Sequence, residues 1–164
     1  MEVQNIKKKF IADAMLGRLA RWLRFLGYDT LYYPHITDRA LISIALKEDR
    51  VILTRDTGLI KIKGLKDFVL ITSNNVEEQI IEVLNRLKLE KIDFMSRCLV
   101  CNGIIADITD KDLIRDFVPE YVYLNNNKFY RCNSCGKIYW EGSHLWKFIS
   151  KVNSLLKAHD VFLC

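Results

Sequence analysis

Short apolar runs alternate along the first ninety residues with segments whose apolar positions recur every three or four residues. Phe10 to Ala12 reads as a first strand, and Ala14 to Leu26 as a helix with Met15, Leu16, Leu19, Ala20, Leu23 and Leu26 on one stripe. Asp13 is placed to cap that helix and Gly27 to stop it. Tyr28 to Tyr33 is rich in β-formers and ends at Pro34. Thr37 can cap a second helix over Asp38 to Glu48, and Asp49-Arg50 returns the chain into a third strand, Val51 to Thr54. Phe68 to Ile71 is the fourth strand, and Asn74 or Asn75 caps a third helix with Val76, Ile80, Ile81, Leu84 and Leu87 on one side. Strands that alternate with helices predict an α/β fold, a mostly parallel four-stranded sheet with right-handed crossovers.

The pattern changes after residues 89–93, which divides the chain into an expected domain at 1–93 and a smaller one at 94–164. The second part predicts a short polar helix near Thr109 to Asp116 and a hairpin pairing Tyr121 to Leu124 with Lys128 to Arg131. A strand over Lys137 to Trp140 follows, then a terminal helix from Ser143 carrying Leu145, Phe148, Ile149, Val152, Leu155 and Leu156 on one face. No internal repeat or low-complexity tract interrupts this order.

Half the 164 residues are hydrophobic and 27% are charged, an ordinary globular balance. No apolar run approaches the roughly 18 residues of a spanning helix, and the first residues lack the apolar core of an export signal, so a cytoplasmic protein is expected. The net charge of +5 is spread over both parts, which permits a polyanionic partner without requiring one.

All five cysteines fall late, at Cys98, Cys101, Cys132, Cys135 and Cys164. Without an export signal, two C-x-x-C pairs favour metal over disulfides, and each tight turn presents two thiolates to one tetrahedral zinc ion. Gly103 and Gly136 suit the sharp turns, and the 30 residues between Cys101 and Cys132 must fold out as an insert. The expected site is closed and structural, a zinc ribbon that stabilises a lobe too small for its own core. Cys164 has no partner motif; His144 is a substitute ligand or, more simply, a side chain that packs or touches substrate.

Asp13, Asp38 and Asp56 each fall where a strand ends or a helix begins, on one predicted sheet edge. Adjacent parallel strands lie about 4.8 Å apart, and carboxylates about 5 Å apart repel by roughly 3 kcal/mol at an effective dielectric near 20. Such a group needs a cation or a retained proton, and an all-oxygen set suits Mg²⁺ or Mn²⁺. Capping is the plain alternative for any one of these aspartates. Thr54, two residues before Asp56, presents its hydroxyl on the same face. Arg18, Arg21 and Arg24 recur every third residue and, with Lys61 and Lys63, form a candidate phosphate track. Tyr32, Tyr33, Tyr139, Trp140 and Trp146 are candidate base-stacking side chains.

Asp13 with the run Gly17 to Thr30, then Leu53-Thr54-Arg55-Asp56, then Cys132-x-x-Cys135-Gly136 with Tyr139-Trp140-x-Gly142-Ser143-His144, resembles the Mut-seven C-terminal RNase family. The resemblance runs from about Phe10 to Phe148 and implies a PIN-like, Rossmann-like nuclease domain fused to a zinc ribbon. It implies cleavage of RNA, with Asp13, Asp38 and Asp56 as ligands of the divalent metal and Thr54 as a polar helper. The fourth acidic residue of PIN nucleases has no evident counterpart. Asp29 and Asp67 are the acidic candidates, while Asn74 is better placed but neutral.

Three functions follow from these readings. The first is a metal-dependent endoribonuclease acting on single-stranded RNA. The second is a non-catalytic RNA- or ribosome-binding adaptor built on the zinc ribbon. The third and weakest is a phosphoryl-accepting receiver domain, for which Asp13 lacks an acidic neighbour and no lysine follows the fourth strand at the expected edge.

Overall fold

The computed structural model describes residues 8–89 and 92–158, with His144 described by its backbone alone. Cys164 and part of the expected boundary segment, Glu90 and Lys91, lie outside the described residues. Four strands, β1 (Lys9–Ala12), β2 (Thr30–Tyr32), β3 (Arg50–Thr54) and β4 (Phe68–Leu70), form an all-parallel sheet in the order β2-β1-β3-β4. Phe10, Ile11 and Ala12 are all fully buried, because β1 is central and covered on both faces.

Helix α1 (Gly17–Phe25) packs on one face and α2 (Asp38–Glu48) on the other. Phe10, Ala12, Leu53 and Val69 meet α1, α3 (Val76–Leu87) and the C-terminal α5 (Ser143–Ala158) in the larger core. Ile11 and Ile52 meet Leu41 and Ala45 of α2, together with Leu59, in the smaller. The chain moves outward from β1 to β2, then jumps back over β1 to β3. The strand order therefore reverses between β1 and β3, and open α/β sheets form their ligand crevice outside the carboxyl ends of such a pair.

The expected first helix is two pieces, a 3₁₀ turn over Ala14–Leu16 followed by α1. Gly27 stops the helix with φ +87°, and a Cβ there would stand 2.3 Å from the Asp93 carbonyl oxygen. That close approach lets the connecting segment cross the end of α1, where Asp93 N and Met95 N donate to Leu26 O and Phe25 O.

Beyond this segment, β5 (Ile105–Asp107), β6 (Phe129–Cys132) and β7 (Ile138–Trp140) form an antiparallel sheet in that order. The expected hairpin is corrected here. Tyr121 to Leu124 lies in a short helix, α4 (Glu120–Asn125), and β6 pairs instead with β5, a strand too short to stand out in the sequence. Pro119 precedes this helix and Glu120 opens it, while the side-chain amides of Asn125 and Asn126 donate to Tyr121 O and Val122 O and close it. Local bonding thus outweighs the β-propensity of Tyr-Val-Tyr.

The second sheet is bolted to the first by polar contacts. Asn102 accepts from Thr30 N at 2.9 Å and donates to Asp29 at 2.8 Å. Asp29 also pairs with Arg50 at 2.7 Å and Arg97 at 3.4 Å. Burial pushes the Asp29 carboxyl up, but the bonds from Arg50 and Asn102 outweigh it and hold its pKa below the ordinary value. Among the described residues, no helix is long and apolar enough to cross a membrane.

Candidate active site and cysteine cluster

Asp13 follows β1 directly, and its amide extends the ladder by donating to Leu53 O of β3 at 2.9 Å. Its carboxylate is held from three directions. Oδ1 accepts from Met15 N at 2.9 Å, while Oδ2 accepts from Thr54 Oγ1 at 2.5 Å and Arg55 N at 2.9 Å. The Thr54 hydroxyl also accepts from Asp56 N at 2.9 Å, so one fully buried side chain ties both aspartates across the β1/β3 crevice. Asp56 Oδ1 accepts from Gly58 N at 2.6 Å, in a tight turn at the exposed rim. The Thr54 hydroxyl thus donates to the Asp13 carboxylate and accepts from the Asp56 backbone amide.

Asp38 opens α2 behind Thr37, which accepts from Ala40 N at 3.3 Å, and it is exposed. Among the described residues, Asp13, Asp38 and Asp56 do not make up a three-ligand group of the kind the cysteines form. Asp13 and Asp56 are linked through Thr54, which bonds the carboxylate of the first and the amide of the second. Asp29 and Asp67 precede β2 and β4 and so lie at the opposite end of the sheet, Asp29 locked in its ion pairs. Asn74, the neutral candidate, accepts from Arg55 Nη2 beyond the ends of β3 and β4.

A carboxylate oxygen has two lone pairs, so Asp13 Oδ1 retains one, and no protein donor among the described contacts engages Asp56 Oδ2. Carboxylate oxygens with free lone pairs are the kind of donor that Mg²⁺ takes, one or two at a time with several waters.

The four cysteines converge as the spacing predicts. The sulfurs of Cys98, Cys101, Cys132 and Cys135 all lie within 4.8 Å of one another, with 3.6 Å between Cys98 and Cys135 and 3.4 Å between Cys101 and Cys132. Tetrahedral zinc with bonds of about 2.3 Å sets its sulfurs about 3.8 Å apart, so the group fits a closed structural zinc site. Burial pushes the Cys98 thiol up, but the Tyr139 hydroxyl and the amides of Cys101 and Val100 outweigh it and bring it down to about 6. Tyr139 is therefore committed to the cysteine turn, where its oxygen also accepts from Leu99 N at 3.2 Å.

The expected phosphate track divides. Arg24 is a correction: it is 6% exposed, and its guanidinium donates to Thr30 O at 2.8 Å, Leu99 O at 3.1 Å and Val100 O at 3.0 Å. It braces β2 to the Cys98–Cys101 turn. Lys61 and Lys63 are exposed, but the segment around Leu59 packs on the α2 side of the sheet, away from α1. They do not line the cleft that Arg18 and Arg21 line. Arg18 and Arg21 remain exposed and line a cleft of about 660 Å³ between α1, α5 and β7. His144 falls in the first turn of α5; its side chain lies outside the described positions.

The sequence missed Asn102 and Lys137. Asn102 is buried with φ +67°, and its side chain completes the edge of β2. Only its place after a cysteine turn hinted at a special backbone. Lys137, beside the second turn, faces the same cleft as Arg18 and Arg21.

Fold and site together define a doubly wound parallel α/β domain with Asp13 and Asp56 just beyond the ends of β1 and β3, and a four-cysteine cluster able to hold a metal ion. A family model described as the Mut7-C RNAse domain matches residues 8–152, and the chain belongs to that family. No curated protein and no solved structure matches it.

Proposed function

We propose that the protein is a divalent-metal-dependent endoribonuclease whose cleavage site is the β1/β3 crevice. The observation that carries this is the Asp13–Thr54–Asp56 linkage at the switch point of the sheet, in a chain of an RNase-domain family. Asp13 and Asp56 would hold Mg²⁺ or Mn²⁺, which supplies charge to neutralise the phosphodiester and acidifies the attacking water. The rest falls to the protein. Met15 N, Arg55 N and Thr54 fix the Asp13 carboxylate before substrate arrives, so little reorganisation is required on binding. Asp38 sits at the exposed start of α2, where it can orient a water or the substrate at the rim. The closed cysteine site holds zinc for structure and leaves no open position for chemistry.

A labelled single-stranded RNA incubated with Mn²⁺ tests this reading. Asp13→Asn is expected to lower the rate at least about a hundredfold, and Thr54→Val substantially, with Thr54→Ser restoring much of it. Cutting by Asp13→Asn at the wild-type rate refutes the assignment.

A second reading, a non-catalytic RNA-binding adaptor, draws on the number of protein donors already spent on Asp13. It predicts salt-dependent RNA binding, indifferent to Asp56→Asn and to divalent metal, with no cleavage.

A further inference from the structure

The cleft between α1 and the cysteine module has a composition that the cleavage site does not use. Its floor is aromatic and aliphatic, with Trp22, Trp140 and Phe148, and its rim is cationic, with Arg18, Arg21 and Lys137. Lys151 also lines it but is ion-paired to Glu77, the one carboxylate on its wall. Trp22 and Phe148 lie 4.9 Å apart at an interplanar angle of 42°, and Phe148 is 44% exposed despite its size. Its volume of about 660 Å³ is that of a site for a small ligand or for one or two units of a polymer.

The cleft also has a direction. Val76 and Glu77 at its wall open α3, which follows β4, and Arg18 lies in the first turn of α1, five residues after Asp13. One end therefore starts at the carboxyl edge of the sheet that carries Asp13, and the other reaches β7 beside the cysteines.

We infer that this cleft is a single-strand RNA anchor, in which unpaired bases enter the aromatic floor while Arg18, Arg21 and Lys137 engage the flanking phosphates. The charge decides the occupant: three cations with no ion-pair partner among the described residues, set around an aromatic slot, match a polyanion that carries flat rings. Bases locked in a duplex cannot enter a recessed slot, whereas splayed bases stack on aromatic side chains without sequence preference. The proposal deepens the nuclease reading, since it says how substrate is held beside the crevice; the binding itself needs no catalytic metal.

The test is fluorescence anisotropy of a labelled 12-nucleotide oligouridine with the zinc-loaded full chain, without added magnesium or manganese, across a salt series. Combining Arg21→Gln with Lys137→Gln should weaken binding and make the slope of log K against log salt shallower by about 1.4, two single-strand phosphate contacts. Trp140→Ala should weaken binding by about fivefold or more with the slope unchanged. Phe148→Ala serves the same end should Trp140→Ala fail to fold, as judged by thermal melting. Unchanged affinity and slope in the double variant overturn the proposal. So does equal affinity for a duplex, or loss of concentration-dependent self-association as the only effect of the variants. If RNA is still cut in an Asp13-dependent manner while these variants bind normally, only the cleft falls. If Asp13→Asn cuts like wild type while the variants lose binding, only the nuclease assignment falls.

Discussion

Arg24→Met separates two roles that the sequence leaves indistinguishable. Methionine keeps an unbranched stem of similar length, so the packing along α1 is largely retained and the change isolates the guanidinium. Three carbonyls lose their donor. Thr30 O is buried, and an unsatisfied buried acceptor costs about 1–3 kcal/mol. Leu99 O and Val100 O are only partly buried and can regain water, so each is assigned about 0.5–1.5 kcal/mol. Against this stands the relief of a buried charge, since burial pulls the Arg24 pKa down. A net loss of about 2–4 kcal/mol follows, or roughly 5–15 °C in Tm for a chain of this size. Urea denaturation of the zinc-loaded protein reads it directly. Arg24→Lys should be nearly as destabilised, because one ammonium cannot span β2 and the cysteine turn together. A solvent-facing phosphate contact would give the opposite pattern: stability within about 0.5 kcal/mol of wild type, weaker RNA binding, and rescue by lysine. That result would refute the brace.

Two further outcomes follow from the same structure. Cys132→Ser, or exhaustive chelation, should remove about one zinc per chain by metal analysis and lower unfolding stability by at least about 3 kcal/mol, because metal binding and ribbon folding are linked; full stability without metal would contradict the closed site. Asp29 supplies a pH dependence: its folded pKa is depressed, so its contribution is present above its unfolded value near 3.9 and is lost as pH falls through the folded value. Asp29→Asn should accordingly flatten the acid limb of a stability–pH curve below about pH 4, and an unchanged limb would assign the acid sensitivity elsewhere.

Much of this architecture was readable from local chemistry. The apolar runs around Phe10 and Ile52 are strands buried on both faces, the run around Val69 is an edge strand with Val69 itself in the larger core, and the stripe through Leu16, Leu19 and Leu23 faces that core. Thr37 and Asn75 cap their helices by bonds that depend on neighbours two or three residues away. The cysteine pairs converge because each turn is a local motif and only one long-range closure is left to chance. The β5–β6 pairing was not readable, since a three-residue strand shows little period and α4 is settled by side-chain bonds at its end.

What sequence determined by itself, then, is the order of elements in the parallel-sheet part, the convergence of the paired cysteines and the presence of aspartates at one edge of a parallel sheet. Tertiary structure alone decided what those side chains do. Arg18, Arg21 and Arg24 have identical chemistry and even spacing, yet a helix turns 100° per residue, so a three-residue step drifts around the axis. That drift, with the cysteine turn packed against the C-terminal end of α1, sends Arg24 inward to three carbonyls and leaves Arg18 and Arg21 at the cleft. Likewise Thr54 became the link between Asp13 and Asp56 only because β1 and β3, forty residues apart in sequence, are neighbours in the sheet, and strand order is set by the packing of both faces rather than by any local signal.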